Sequence, residues 1–194
     1  ATVGTWPLPR HVLADAVTRL TAAGAVSIGF DLLLLERAGD SGDQALAAAL
    51  AATDNVVLAV AYRVNAPAAG GGNSLDAAAA GDLLAPPPEL AANADLGHVN
   101  VVVDGDGRLR RLLPAVGAGD LRFPALPIQM ARHYVSQRAG DVTVTPAEVS
   151  VAGGSRWLDF YGPDRSIPTI SLADVIAGRA GTAVNGRAVL IGAT

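Results

Sequence analysis

Ala25-Val26-Ser27-Ile28-Gly29-Phe30-Asp31 is short, rich in β-forming residues and closed by a carboxylate, the pattern of a strand. Helical patterns lie on both sides of it. Upstream, residues 10 to 23 place Val12, Leu13, Ala16, Val17 and Leu20 at helical spacing, and Gly24 supplies a stop. Downstream, Leu32 to Leu35 continue apolar as far as Glu36. A polar turn over 37–42 then leads to Asp43, suited to N-cap an alanine-rich helix from Gln44 to Ala52. Asn55 to Tyr62 (NVVLAVAY) follows as a second strand, apolar on both faces like the central strands of a parallel sheet. This alternation predicts a single α/β domain over 1–194, with a mixed, mostly parallel central sheet flanked by helices.

Beyond Tyr62 the signals are shorter. Residues 64–82 shift to Ala, Gly, Asn and Pro around Gly70-Gly71-Gly72, which predicts a flexible surface loop; the alanine run at 77–80 offers at most a short helix. Pro86-Pro87-Pro88 favours a helix start at Glu89. His98 to Pro114 reads as a β-hairpin, because Val99, Val101 and Val103 alternate and Asp104-Gly105-Asp106-Gly107 is a strong turn. A helix is expected over Ile128 to Val135, and short strands over 142–144, 149–151 and 157–161. Ser171 with Asp174 resembles a capping box, and Ala188 to Gly192 reads as a final buried strand.

Of the 194 residues 51% are hydrophobic and only 16% charged, which excludes a disordered chain. All 14 basic residues are arginine, and there is no cysteine, so disulfides, zinc thiolates and cysteine nucleophiles are excluded. A formal charge of −4 argues against a nucleic-acid groove, and Arg108, Arg110 and Arg111 are the only basic cluster. No stretch approaches the ~20 apolar residues that cross a bilayer; the nearest, Gln44 to Thr53, lies between Asp43 and Asp54. A chain beginning at Ala1 is expected to be a soluble piece of something larger.

Catalytic signatures are sparse. The sequence has no G-x-S-x-G elbow, no H-E-x-x-H, no G-x-x-x-x-G-K-[ST] and no strand followed by G-x-G-x-x-G. Asp31 is the leading candidate ligand-binding residue, since open α/β sheets present binding groups at strand carboxyl ends. Glu36 is near enough in sequence to join it, and the competing role for Asp31 is a turn cap or a pair with Arg10. Asp104-Gly105-Asp106-Gly107 invites a calcium reading, but the twelfth position of an EF-hand loop holds Ala115, so no metal site is assigned. His11, His98 and His133 are dispersed. His98 draws most interest because Asn100 and Asp104 follow it closely.

Several motifs occur in a colinear series. Trp6-Pro7-Leu8-Pro9-Arg10 is similar to W-P-x-x-R, residues 25–31 to a strand ending in Phe-Asp, and Gly42-Asp43-Gln44-Ala45-Leu46 and Asn55-Val56-Val57-Leu58 to the next helix and strand. Gly97-His98-Val99-Asn100, the Asp104 turn and Arg110-Arg111 resemble G-H-x-N followed by D-x-D-G-x-x-R-R. Phe123-Pro124-Ala125-Leu126, Tyr161-Gly162, Ile167 to Ser171 and Gly186 to Thr194 complete the series. Together they resemble the second type of CHASE domain, the sensory module of bacterial nucleotide cyclases, histidine kinases, serine/threonine kinases and diguanylate cyclases.

The resemblance implies an extracytoplasmic sensor without catalysis of its own, attached through flanking transmembrane helices. A homodimer that receives a small-molecule or protein signal is expected, without a cofactor, and the negative charge argues against nucleic acid. Candidate ligand-binding residues are Asp31, Glu36, His98, Asn100 and Asp104. Two other readings compete. A metal-assisted hydrolase would gather Asp31, Glu36, Asp104 and His98, and a structural dimerisation module would present a large apolar interface without a pocket.

Overall fold

Helix α1 (Arg10–Ala22) forms where Leu13, Ala16, Val17 and Leu20 recur at three- and four-residue steps, and all four side chains are buried. The computed structural model describes residues 7–38, 41–64, 80–117, 122–137, 154–163 and 166–193. From α1 the chain reverses into β1 (Ser27–Asp31). Helix α2 (Ser41–Ala51) begins three residues earlier than Gln44. Asp43 therefore lies inside its first turn rather than capping it; buried there, it accepts the Ala38 N–H at 2.6 Å.

Strand β2 (Val56–Val64) pairs in parallel with β1 and with β4 (Asp95–His98), while β10 (Ala188–Gly192) pairs in parallel with β1. The parallel order is thus β10-β1-β2-β4. Past Val60, β2 pairs antiparallel with β3 (Ala80–Leu84), so the sheet is mixed, as its sequence predicts. The loop expected over 64–82 needs correction at its ends: Val64 completes β2 and residues 80–82 open β3, while 65–79 lie outside the described residues. The strands expected over 142–144 and 149–151 lie outside them too. Helix α3 (Pro88–Ala91) carries proline at its first position, where no N–H is needed.

Helices cover both faces of the sheet. On one, α1 and α2 bury Leu13, Val17, Leu20, Leu46 and Leu50 against Ile28, Phe30, Val56 and Leu58. On the other lies α4 (Leu126–Gln137), whose Leu126 and Met130 pack on Val57 and Ala59. Complete burial of a leucine or phenylalanine side chain stabilises by about 1.5 to 3 kcal/mol, so the first face carries most of the apolar stabilisation.

The hairpin is narrower than its sequence suggests. His98 belongs to β4, and only β5 (Val102–Val103) and β6 (Leu109–Leu112) pair across the turn, where Gly107 has φ +78°. Strand β9 (Arg156–Trp157) adds to β6 and is shorter than the expected 157–161. Strands β7 (Ala115–Val116) and β8 (Phe123–Pro124) lead into α4. In helix α5 (Leu172–Ile176) the capping box is present, with Ser171 Oγ accepting the Asp174 N–H at 3.1 Å. Strand β10 is not the buried strand its composition predicts. It borders only β1 among the described residues, Ile191 alone is buried, and Leu190 is 57% exposed.

Candidate functional site

The four parallel strands finish at a common edge, where Asp31 is in register with Gly192 and Val60 with His98. Because α1 runs back along β1, its first turn reaches the same edge: Arg10 Nη2 donates to the Glu36 carbonyl at 2.8 Å. Arg10 Nε also lies 3.3 Å from Asp43 Oδ1, an ion pair whose alignment does not make a hydrogen bond. Arg10 is therefore engaged elsewhere than at Asp31. The Asp31 side chain is exposed and makes no hydrogen bond or ion pair among the described residues.

An open groove of about 480 Å³ lies beside this edge, lined by Pro7 to Arg10, Leu13 and residues 33–38. Leu33 and Leu35 are 40% and 41% exposed along it, with Glu36 and Arg37 at its polar end. Asp31 lies two positions before Leu33, one of the wall residues, and the Glu36 side chain is exposed. Glu36 lines this recess, whereas Asp31 is not among its lining residues. The other three are held apart from it.

His98, 1% exposed, ends β4 with Nε2 3.0 Å from the Leu113 carbonyl. That contact assigns the proton to Nε2 and leaves Nδ1 as a buried acceptor with no hydrogen-bond partner. Burial pulls the imidazole down to about 4, only partly opposed by the bond to Leu113, so the ring is neutral near pH 7. Asn100 has a backbone-like role. Its Oδ1 accepts the Tyr62 N–H and its Nδ2 donates to the Tyr62 carbonyl, both at 2.8 Å, extending the β4–β2 ladder by one rung after β4 has ended.

Asp104 anchors the hairpin. Arg111 donates to its Oδ1 and Arg110 to its Oδ2 at 2.9 Å, and Arg110 also forks onto Asp106. The two guanidiniums, Arg111 first, hold the Asp104 carboxyl below its ordinary value. Arg111 in turn lies over the Trp157 ring at 5.8 Å, linking β6 to β9. The hydrolase constellation of Asp31, Glu36, Asp104 and His98 is dispersed, and among the described residues no group of three or more acidic or histidine side chains is placed to hold a metal.

One polar set went unnoticed in the sequence. Asp95 at the start of β4 accepts from His133 Nε2 at 2.7 Å and from Gln129 Nε2 at 2.8 Å, while Ser27 Oγ lies 3.5 Å from His133 Nδ1. The spacing of Gln129 and His133 by four residues puts both on one helix face, which was the available signal.

Fold and site together define an α/β module whose hairpin and strand-end polar groups mostly hold elements together, leaving the exposed carboxylates of Asp31 and Glu36 and a groove at the sheet's carboxyl edge. A family model described as the CHASE2 domain matches residues 1–194, the whole chain, and the chain belongs to that family. CHASE2 domains are extracellular sensory domains of signalling proteins rather than catalytic ones. No curated protein and no solved structure matches the chain. No helix among the described residues is long and apolar enough to cross a membrane.

Proposed function

We propose that this chain is the input domain of a membrane-bound bacterial signalling protein, with a nucleotide cyclase, histidine kinase, serine/threonine kinase or diguanylate cyclase as output. It receives a small molecule or protein partner at the carboxyl edge of the sheet, around Asp31 and the groove ending at Glu36. One observation carries the reading: Asp31, exposed and unpaired among the described residues, lies beside the end of the last strand. A Cβ on Gly192 would stand 3.8 Å from that of Asp31.

The start of α1 borders the same edge, so a ligand there touches the incoming and outgoing chain at once. A signal is relayed only if the ligand binds two conformations with different affinity, and contact with both ends supplies such a difference. Flanking transmembrane helices would carry the change across the membrane, and a homodimer would let two such domains move relative to each other.

The test is a thermal-shift screen of small polar and cationic molecules against the wild type, Asp31→Ala and Glu36→Gln. A compound that raises the wild-type Tm and loses that effect in Asp31→Ala supports the site. An equal shift in all three proteins removes the carboxyl edge from it.

A further inference from the structure

The groove at the carboxyl edge has two walls. One is the approach to α1 and its first turns, Pro7 to Arg10 with Leu13; the other is the segment 33–38 that follows β1. Most of this surface is apolar, and Leu33 and Leu35 stay partly exposed on it. What else a ligand meets is decided by the charged residues of the walls, Arg10, Glu36 and Arg37.

Both arginines are engaged. Arg10 lies 3.3 Å from the buried Asp43 carboxylate and donates to the Glu36 carbonyl at 2.8 Å. Arg37 forks onto Glu89 of α3 at 2.8 and 3.1 Å. The Glu36 carboxylate is exposed and has no hydrogen bond or ion pair among the described residues. With each cation balanced by an anion and Glu36 unbalanced, the groove is left negative, and Asp31, exposed on the same sheet edge, adds to its field.

The free carboxylate is carried by backbone that is already fixed. Three successive residues are tied by three different elements: Arg10 of α1 binds the Glu36 carbonyl, Glu89 of α3 binds the Arg37 side chain, and Asp43 of α2 accepts the Ala38 N–H at 2.6 Å. No ligand has to order this segment, so more of its contact energy is left for affinity.

Three ligand chemistries fit these walls poorly. An anion finds no unpaired cation on them among the described residues and meets Glu36 instead. A divalent metal needs several oxygen donors, and no group of three or more acidic or histidine side chains is placed to supply them among the described residues. A wholly apolar molecule gains from the leucines but leaves the carboxylate without a partner.

We infer that the groove takes a small organic cation, an ammonium group on an apolar body, with Glu36 pairing with the ammonium and Leu33 and Leu35 receiving the body. The inference deepens the reading of the carboxyl edge as the input site and rests on it for its biological use.

The experiment follows the amides of the isotope-labelled domain with four probes at equal concentration: hexylammonium, methylammonium, hexanol and hexanoate. Hexylammonium should shift the amides of residues 33–38 and of the first turn of α1 saturably. Methylammonium lacks the body and hexanol the charge, so each should bind about fivefold more weakly, and hexanoate more weakly again. Glu36→Gln, at an exposed side chain that ties no element, should lower the hexylammonium affinity about fivefold and bring it level with hexanol. Leu35→Ser should weaken hexylammonium and hexanol alike and leave methylammonium unchanged. Equal affinity for hexylammonium, hexanol and hexanoate, an unchanged hexylammonium affinity in Glu36→Gln, or no shift at 33–38 with any probe overturns the proposal. Shifts at 33–38 that favour hexanoate overturn it too, while keeping the carboxyl edge as a ligand site. A ligand from the thermal-shift screen that shifts amides elsewhere on the domain defeats the carboxyl-edge reading and leaves the cation preference of the groove standing.

Discussion

The two faces of the sheet hold their helices by different means. Under α1 and α2 the contact is almost wholly aliphatic, with Leu13, Leu20, Ile28, Phe30, Leu46 and Leu58 all at or near zero exposure. Under α4 the buried apolar cluster among the described residues is smaller, formed by Val57, Ala59, Leu126 and Met130, and the helix is also fastened by the Asp95–His133 bond, with Ser27 3.5 Å from the same ring. Apolar packing is non-directional and loses little when one atom shifts, whereas a short polar line depends on its distances and angles. The α1 face is accordingly the larger apolar scaffold, and the α4 face is the attachment that depends more on polar contacts.

The largest expected effect tests that contrast directly. Leu58→Ala, beneath α1 and α2, should cost about 3 to 4 kcal/mol by urea unfolding, and Met130→Ala, beneath α4, about 2. Equal losses would mean that the α4 face packs as firmly as the other.

Next in size is the polar exception on the α1 side. Strand alternation puts His98 on the same side as Leu96, which packs with the large cluster. Its pKa is about 4 folded against 6.5 in the unfolded chain, so between these values the unfolded state binds more protons and stability rises with pH. The neutral ring's contribution is therefore complete above 6.5 and declines as pH falls towards 4, by about 3 kcal/mol in total. Unfolding curves across that window should show the decline in wild type and a flatter profile in His98→Gln, which keeps a donor for the Leu113 carbonyl. Parallel profiles would deny His98 the effect. The Asp95 and Asp104 carboxyls, held below their ordinary values, lose their contributions at lower pH still.

A second pair of substitutions compares two glycines that face α4. A Cβ at Gly97 would stand 2.6 Å from the Leu126 Cα, which is backbone and cannot yield without moving the helix; Gly97→Ala should cost about 2 kcal/mol. At Gly29 the obstacle is the Met130 thioether, a flexible end, so Gly29→Ala should cost less than about 1.5 kcal/mol. Reversal of that order in thermal melts would show that α4 is free to slide at its start and held rigidly at Met130.

Much of the scaffold face was legible because its signals are periodic. Val17 and Leu20 mark α1, NVVLAVAY marks β2, and Ser171 with Asp174 marks α5. Short or borrowed pairing was not. Strand β4 is four residues long and its rung at Tyr62 comes from the Asn100 side chain, so the sequence around His98 looked like part of a hairpin. The exposure of β10 was hidden because an edge strand and a central one share a composition when one neighbour is missing. Of the candidate site, Asp31 could be placed by the rule for strand ends, whereas the partners of His98 and Asp104 depend on contacts that close only in three dimensions. The Asp95–His133 pair spans 38 residues, beyond any local pattern.

The smallest expected effect falls on the edge that belongs to neither face. Asp31 has no partner among the described residues, so Asp31→Asn should leave stability within about 0.5 kcal/mol of wild type. A paired strand-end carboxylate would behave otherwise, because its loss strands a cation or a backbone N–H. Near-neutral stability together with a lost ligand response would separate a binding residue from a structural one. A loss of 2 kcal/mol or so would place Asp31 among the side chains that hold the fold, beside Asn100 and Asp104, and leave Glu36 as the carboxylate of the groove.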